Sequence, residues 1–150
     1  MTRIPIQGRN YFRRPAASVV KTLLAQANLP SSDITEAHLE HFIGCGNTQA
    51  LDGVVGLELY PPYALLRSLA VAADKRGIGL GGALLADAER YARTRGVAEI
   101  YLLTNTAERF FERVGYQRMP RDSAPAAIRT TQEFAALCPA SAALMRKRLA

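Results

Sequence analysis

Apolar positions along the chain change their period several times, and each change marks an element. Val19, Val20, Leu23, Leu24 and Ala27 recur at helical spacing within residues 15–27, and Pro15 suits a first helical turn. Before them, Ile4–Ile6 reads as a short edge strand weakened by Pro5. Asn28–Asp33 reads as a loop, Thr35–Leu39 as one helical turn and His41–Cys45 as a strand. Val54–Tyr60 and Ala64–Val71 are strand runs on either side of a Pro61-Pro62 turn. The second run is apolar enough for a sheet interior, except at Arg67 and Ser68. Leu80, Leu84, Ala88 and Tyr91 return to a helical face over residues 79–95, which Gly96 stops. Ile100–Leu103 predicts a strand, Thr106–Arg113 a helix ended by Gly115, and Tyr116–Met119 another strand. A helical patch near residues 126–137, a break at Pro139 and a strand at Ala143–Leu149 complete the chain. This order predicts an α/β fold, a mixed sheet with helices on both faces.

Length and composition narrow the classes. A chain of 150 residues is expected to form a single domain over residues 1–150, burying roughly two-thirds of its unfolded surface. No apolar run approaches the ~20 residues of a membrane-spanning helix, and the first fifteen residues carry no apolar signal-like core, so no membrane association and a cytoplasmic location are the expectations. Cys45 and Cys138 are far apart, without a CxxC and without histidine at ligand spacing; neither a metal site nor a disulfide framework is expected. The net charge of +6 comes from scattered basic residues and no nucleic-acid-binding pattern accompanies it, so nucleic acid is not the expected partner. A basic surface suits a polyanionic small molecule instead.

The sharpest local signal is LAVAADKRGIGLGG, residues 69–82. It reads as a strand end, a charged turn and a glycine-rich helix start. Gly77, Gly79, Gly81 and Gly82 remove side chains where backbone N–H groups face outward, beside the positive Lys75 and Arg76. Free N–H donors at a helix N-terminus form a phosphate or pyrophosphate site. Gly77, Gly79 and Gly82 also satisfy G-x-G-x-x-G, the dinucleotide-binding pattern. That fold starts its glycines at the strand end and places an acid near the end of the next strand. Here residues 72–76 intervene, and Glu99 begins the next strand.

Arg76-x-x-Gly79-x-Gly81 resembles the acetyl-CoA signature of the GCN5-related N-acetyltransferases (GNAT). The resemblance runs from about Leu23 to Leu149 and is strongest over RSLAVAADKRGIGLGGALL and YLLTNTAERFFERVGY. It implies a GNAT fold with about six to seven strands, two central strands splayed around acetyl-CoA, and acetyl transfer to a small-molecule amine. Homodimers are common in the superfamily, so a homodimer is expected. The Thr-x-x-Ala-x-x-Phe-Phe form at Thr104–Phe111 looks like the amino-acid N-acetyltransferases, including the acetyltransferase domain of N-acetylglutamate synthases. LPSSDITEAHLEHF, VVGLELY and the tail APAAIRTTQEFAALCPASAALMRKRL resemble the small arsenic-resistance N-acetyltransferases. That likeness implies a glutamate-like acceptor such as arsinothricin or phosphinothricin. A metabolic amino-acid acetyltransferase and a CoA-binding module without catalysis are the alternatives. The latter stays open because Phe111 stands where many members have a tyrosine acid.

By resemblance, the cofactor set is Leu69, Ala70, Val71, Arg76, Gly77, Ile78, Gly79, Leu80, Gly81 and Gly82, with Thr104 and Phe110. The backbone of Leu69 and Val71 would hold the pantetheine arm, with the Val71 N–H aimed at the thioester oxygen. An amine arrives mostly protonated at neutral pH, so a proton acceptor is required. Glu58, on the strand before the central one, is the candidate base, against a salt-bridged role. Arg67 inside an apolar strand needs a partner: with Ser68, it could grip an acidic group of the acceptor, or it could pair with a neighbouring acid. Thr104 and Thr106 could contact the acceptor or cap the following helix. Tyr101 suits packing, His38 loop polarity, His41 loop polarity or contact with the substrate, and Cys138 pocket lining or dimer packing rather than a nucleophile.

Overall fold

The computed structural model describes residues 10–149, so the expected strand at Ile4–Ile6 lies outside the described residues. Its strands are β1 (Tyr11–Arg13), β2 (Phe42–Asn47), β3 (Ala50–Tyr60), β4 (Tyr63–Val71), β5 (Glu99–Thr104), β6 (Gln117–Met119) and β7 (Ala143–Arg148). Its helices are α1 (Ala17–Gln26), α2 (Glu36–Leu39), α3 (Leu80–Thr94), α4 (Glu108–Arg113) and α5 (Ala126–Arg129). Among the described residues the strands form one seven-stranded sheet in the order β1-β2-β3-β4-β5-β7-β6, in which only β4 and β5 run parallel. Period-2 alternation sorts the two faces. Ile43, Val55, Leu57, Leu66, Ile100, Leu102 and Met145 pack on Leu80, Leu84, Leu85, Ala88 and Ala92 of α3. On the opposite face Phe42, Val54 and Ala70 pack on Val20, Leu23 and Leu24 of α1, while Leu65, Tyr101 and Leu144 pack on Ile128 of α5. The mixed sheet with helices on both faces is therefore as the sequence predicts.

The differences have local causes. β1 is three residues long, too short to show a period, and exists because it pairs along Ile43–Cys45. β3 begins at Ala50, four residues before its apolar run, because Ala50 and Leu51 continue the hairpin with β2. α1 starts at Ala17 rather than Pro15. The tail patch splits into α5 and one π-helical turn, Glu133–Leu137. The Pro61-Pro62 turn, whose peptide bond is cis, closes β3 onto β4. At Gly56 any Cβ would overlap the ring of Phe42, so glycine there lets α2's neighbouring strand seat its phenylalanine against β3.

Candidate active site

The site is made by two strands that begin together and then part. β4 and β5 pair only through Tyr63–Leu65 and Glu99–Tyr101. Beyond them β5 stays paired with β7 and β4 with β3, so Leu66–Val71 and Leu102–Thr104 face each other across a gap. A cleft of about 860 Å³ fills it, roofed by residues 27–30 on one side and by Glu133, Leu137, Cys138, Pro139 and Ala142 on the other. A bulge aims the wall of β4. Val54 pairs with Ala70 but Gly56 with Arg67, so Ser68 and Leu69 together oppose Val55. Ser68 accommodates this at φ +61, a left-handed conformation that is costly for a non-glycine residue. Leu66, Arg67, Ser68, Leu69, Ala70 and Val71 all line the cleft.

At one end of the cleft lies the glycine-rich turn. Gly77 and Gly79 hold φ +83 and +85, which only glycine adopts readily, and a Cβ at Gly77, Gly79 or Gly82 would meet nothing within 4 Å. No side chain caps the start of α3, and its first turn contains no acid. The early N–H groups of α3, at Leu80, Gly81 and Gly82, therefore have no side-chain cap, an arrangement that fits a phosphate-bearing ligand. Ile78, 47% exposed, projects beside them. Arg76 lines the cleft and donates from Nε to the Val71 carbonyl at 3.1 Å, tying the turn to the end of β4. A Cβ at Gly81 would come within 3.8 Å of both Phe110 and Val71, so these three residues converge at the helix start.

On the face opposite α3 stands a buried charge cluster. Arg67 has a fully buried side chain. It donates from Nη1 to Asp33 Oδ2 (2.5 Å) and Glu58 Oε2 (2.8 Å), from Nη2 to Asp33 Oδ1 (2.7 Å) and from Nε to Ser68 Oγ (3.1 Å). Glu133 Oε1 lies 3.5 Å from the same Nε. Burial works against the guanidinium charge, yet Asp33, Glu133 and Glu58 raise its pKa above the ordinary value. For Asp33 burial pushes upward, and Arg67 outweighs it, holding the carboxyl below its usual range. Glu133 goes the other way: burial, with Glu58 and Asp33 nearby, lifts it to about 7 despite Arg67.

Arg67 is thus engaged within the protein rather than free to fork onto an acceptor, because three carboxylates surround its buried side chain. Glu58 is held on both oxygens, by Tyr60 Oη at 2.6 Å and by Arg67, with His38 Nε2 at 3.8 Å, and it is not among the residues lining the cleft. Ligand atoms of Asp33, His38 and Glu58 come within 4.8 Å of one another, but Arg67 already supplies the positive charge between the two acids.

Thr104 and Thr106 line the cleft, and Thr104 Oγ1 accepts from Ala107 N at 3.0 Å, so it also braces the approach to α4. Phe111 is buried, lines the cleft and packs edge-on to Phe110 and Tyr116. Tyr101 donates to Glu99 at 3.0 Å and stays in the core. His41 meets Tyr91 Oη at 2.7 Å on the far side of α3. Cys138 lines the cleft with its thiol pushed up to about 11 by burial and by Glu133, which keeps it a thiol. Glu133 is the residue that sequence reasoning missed. It carried the signal that singled out Arg67, a charge against an apolar run, here Phe134–Leu137.

Comparison with known proteins fits this geometry. No curated protein matches the sequence. Among solved structures, N-acetylglutamate synthase from Neisseria gonorrhoeae, complexed with coenzyme A and N-acetyl-glutamate, superposes with a TM-score of 0.78 at 20% identity. The match covers 95% of this chain and 35% of that one, so the chain spans about a third of the synthase's length. Rv2747 from Mycobacterium tuberculosis, in complex with CoA, gives 0.74 at 17% identity, over 95% of this chain and 99% of that one. PaiA N-acetyltransferase from Thermoplasma acidophilum, in complex with coenzyme A, gives 0.65 at 15% identity, over 95% and 100%. Residues 35–118 match the acetyltransferase (GNAT) domain family. More than half of the chain lies in that match, so the chain belongs to the acetyltransferase (GNAT) domain family, with which the splayed strands and the glycine-rich helix start agree.

Proposed function

We propose that the chain transfers the acetyl group of acetyl-CoA to the α-amine of an amino-acid-like acceptor, glutamate or a glutamate analogue such as arsinothricin or phosphinothricin. The observation that carries this reading is the parting of β4 from β5, which leaves the backbone of Leu66–Val71 open to a cleft that ends at the uncapped start of α3. Acetyl-CoA supplies an activated thioester. The N–H groups of residues 76–82 hold the pyrophosphate, and Ile78 and Phe110 flank it. The backbone of Leu69, Ala70 and Val71 receives the pantetheine arm, and the Val71 N–H stabilises charge developing on the thioester oxygen. Thr104 and Thr106 lie at the opposite wall, where they bound both the cofactor and the acceptor.

The acceptor enters from the face of α1 and α5. Three carboxylates around one guanidinium favour an amine that arrives as an ammonium. An acidic group on the acceptor then belongs at the other rim, beside Thr104, Asn105 and Thr106. The analogue reading rests on the likeness of the tail and early loop to arsenic-resistance acetyltransferases, and implies a role in resistance. A metabolic role in amino-acid acetylation is the second reading, favoured by the fold likeness to N-acetylglutamate synthase. A homodimer in the cytoplasm, as the family resemblance implies, completes the proposal.

Thiol release from acetyl-CoA is the test, run against glutamate, phosphinothricin, arsinothricin, other amino acids, an aminoglycoside and a peptide N-terminus. Turnover confined to the glutamate-like analogues supports detoxification, and turnover of glutamate supports the metabolic reading. Binding of CoA with no turnover on any amine overturns both in favour of a non-catalytic module. Gly82→Glu checks the cofactor site: at an unstrained position facing open space it should leave the fold intact and weaken CoA at least a hundredfold in calorimetry. A folded Gly82→Glu variant with unaltered CoA affinity would move the pyrophosphate elsewhere.

A further inference from the structure

The proton that an ammonium acceptor must lose has a destination in this fold, and it is not the acid that the strand order suggests. Glu58 has both oxygens engaged and lies behind the cleft wall. Asp33 is locked as a two-point partner of Arg67. Glu133 differs from both. It lines the cleft and is 96% buried, since its relative exposure is 4%. Its ion-pair neighbour is Arg67 Nε at 3.5 Å, a nitrogen that donates at shorter range to Ser68 Oγ.

The segment bearing Glu133 is fixed. Thr131 Oγ1 accepts from Phe134 N at 3.3 Å while donating to the Ile128 carbonyl at 2.8 Å. Cys138 N closes the π-helical turn on the Glu133 carbonyl at 2.9 Å. Arg121 donates to the carbonyls of Ala142 (2.8 Å), Pro139 (3.2 Å) and Phe134 (3.4 Å), and its guanidinium stacks 4.6 Å from the Phe134 ring centroid. A π-helical turn is rare and recurs at functional sites. Here its first residue, Glu133, lines the cleft beside the bulged strand, with Oε1 3.5 Å from Arg67 Nε.

We propose that Glu133 is the proton acceptor of the transfer reaction and that Arg67, held by Asp33 and Glu58, is the positioning residue that keeps it aimed. The inference rests on the acetyl-transfer reading above. In the step, the Glu133 carboxylate takes one proton from the acceptor ammonium and becomes a carboxylic acid. The neutral amine forms the C–N bond to the acetyl carbonyl while the C–S bond breaks. The second nitrogen proton passes to the departing sulfur to give CoA thiol, and Glu133 returns its proton to water. An acceptor group whose pKa lies near the working pH is best matched to this role, and Glu133 at about 7 meets that condition. The charged and titratable groups around it are Arg67 on β4, Glu58 on β3, Asp33 between α1 and α2, and Cys138 at the end of its own turn.

The test compares Glu133→Gln with the unaltered enzyme and with Glu58→Gln on the amine panel. Glutamine keeps the volume, and Arg67 keeps Asp33 and Glu58. The Glu133→Gln variant should bind CoA with unaltered affinity, lose on the order of a hundredfold or more in kcat/KM, and lose the acid limb that the unaltered enzyme shows near pH 7. Glu58→Gln should keep that limb. A Glu133→Gln enzyme with the same rate and the same limb overturns the assignment, as does a limb that vanishes with Glu58 instead. Carbon-13 carboxyl shifts give an independent reading: Glu133 should titrate near 7, and titration in the ordinary carboxylate range counts against it. An unaltered enzyme silent on every amine fails the acetyl-transfer reading itself, and the inference with it.

Discussion

Two buried charge clusters lie on opposite faces of the same sheet, and they are built to different ends. On the α3 face, Glu89 accepts from Tyr116 Oη at 2.9 Å and from Lys147 Nζ at 2.9 Å, and Lys147 also donates to the Val114 carbonyl at 2.9 Å. One acid, one cation and one phenol close on one another, and burial and the Glu89 charge raise the Tyr116 pKa so that the phenol keeps its proton. On the other face Arg67 serves three carboxylates, Asp33, Glu58 and Glu133, and one of them faces the cleft. The balanced cluster joins β7 and α3 and has no proton to trade. The unbalanced one cannot hold all its charges comfortably, so it keeps a carboxyl near its titration point beside an opening. Buried charge signals function here through imbalance and access, not through burial alone.

Breaking each cluster should expose that difference. Arg67→Met leaves three carboxylates without their cation, which should cost about 3–5 kcal/mol of stability and abolish acetyl transfer. Lys147→Met should cost less, roughly 1–3 kcal/mol, because the lysine is partly solvated and Glu89 keeps Tyr116, and it should leave turnover unchanged. Chemical denaturation with parallel thiol-release assays decides both. Equal losses of stability, or loss of activity with Lys147→Met, would erase the distinction.

A subtler effect concerns pH. The Glu133 carboxyl rises in the folded state from its ordinary 4.5 to about 7, so between those values the native protein binds more protons than the unfolded chain. The stability it contributes is full below 4.5 and lost as pH rises to 7. Glu133→Gln should remove that downward slope, whereas the lowered pKa of Asp33, which acts in the opposite sense at acid pH, is common to both proteins. Denaturation midpoints measured from pH 4 to 8 would show whether the two curves converge at acid pH and part toward neutrality. The smallest expected effect is at the cleft's other wall. Thr104→Ala removes the acceptor for Ala107 N and should lower stability by about 1 kcal/mol, read from the same denaturation curves.

Much of the architecture was legible because local periodicity reports burial directly. Leu80, Leu84 and Ala88 are spaced for one helical face and do pack as one, and the apolar run of β4 is interior on both faces. The glycine-rich turn was legible because φ values of +83 and +85 leave few residues but glycine. β1 was not, since three residues have no readable period and this strand owes its existence to a neighbour. The partners of Arg67 were equally hidden: Asp33, Glu58 and Glu133 lie 34, 9 and 66 positions away in sequence and meet only when the α1–α2 loop and the tail close over β4.

By itself the sequence determined most of the elements, the glycine-rich turn and the family, because hydrophobic period, glycine placement and a contiguous motif are properties of neighbouring residues. Only the tertiary structure decided where β4 leaves β5, which side chains Arg67 holds and which carboxylate-bearing residue lines the cleft. Those depend on desolvation and on charges brought together from distant segments, and neither exists until the chain has folded.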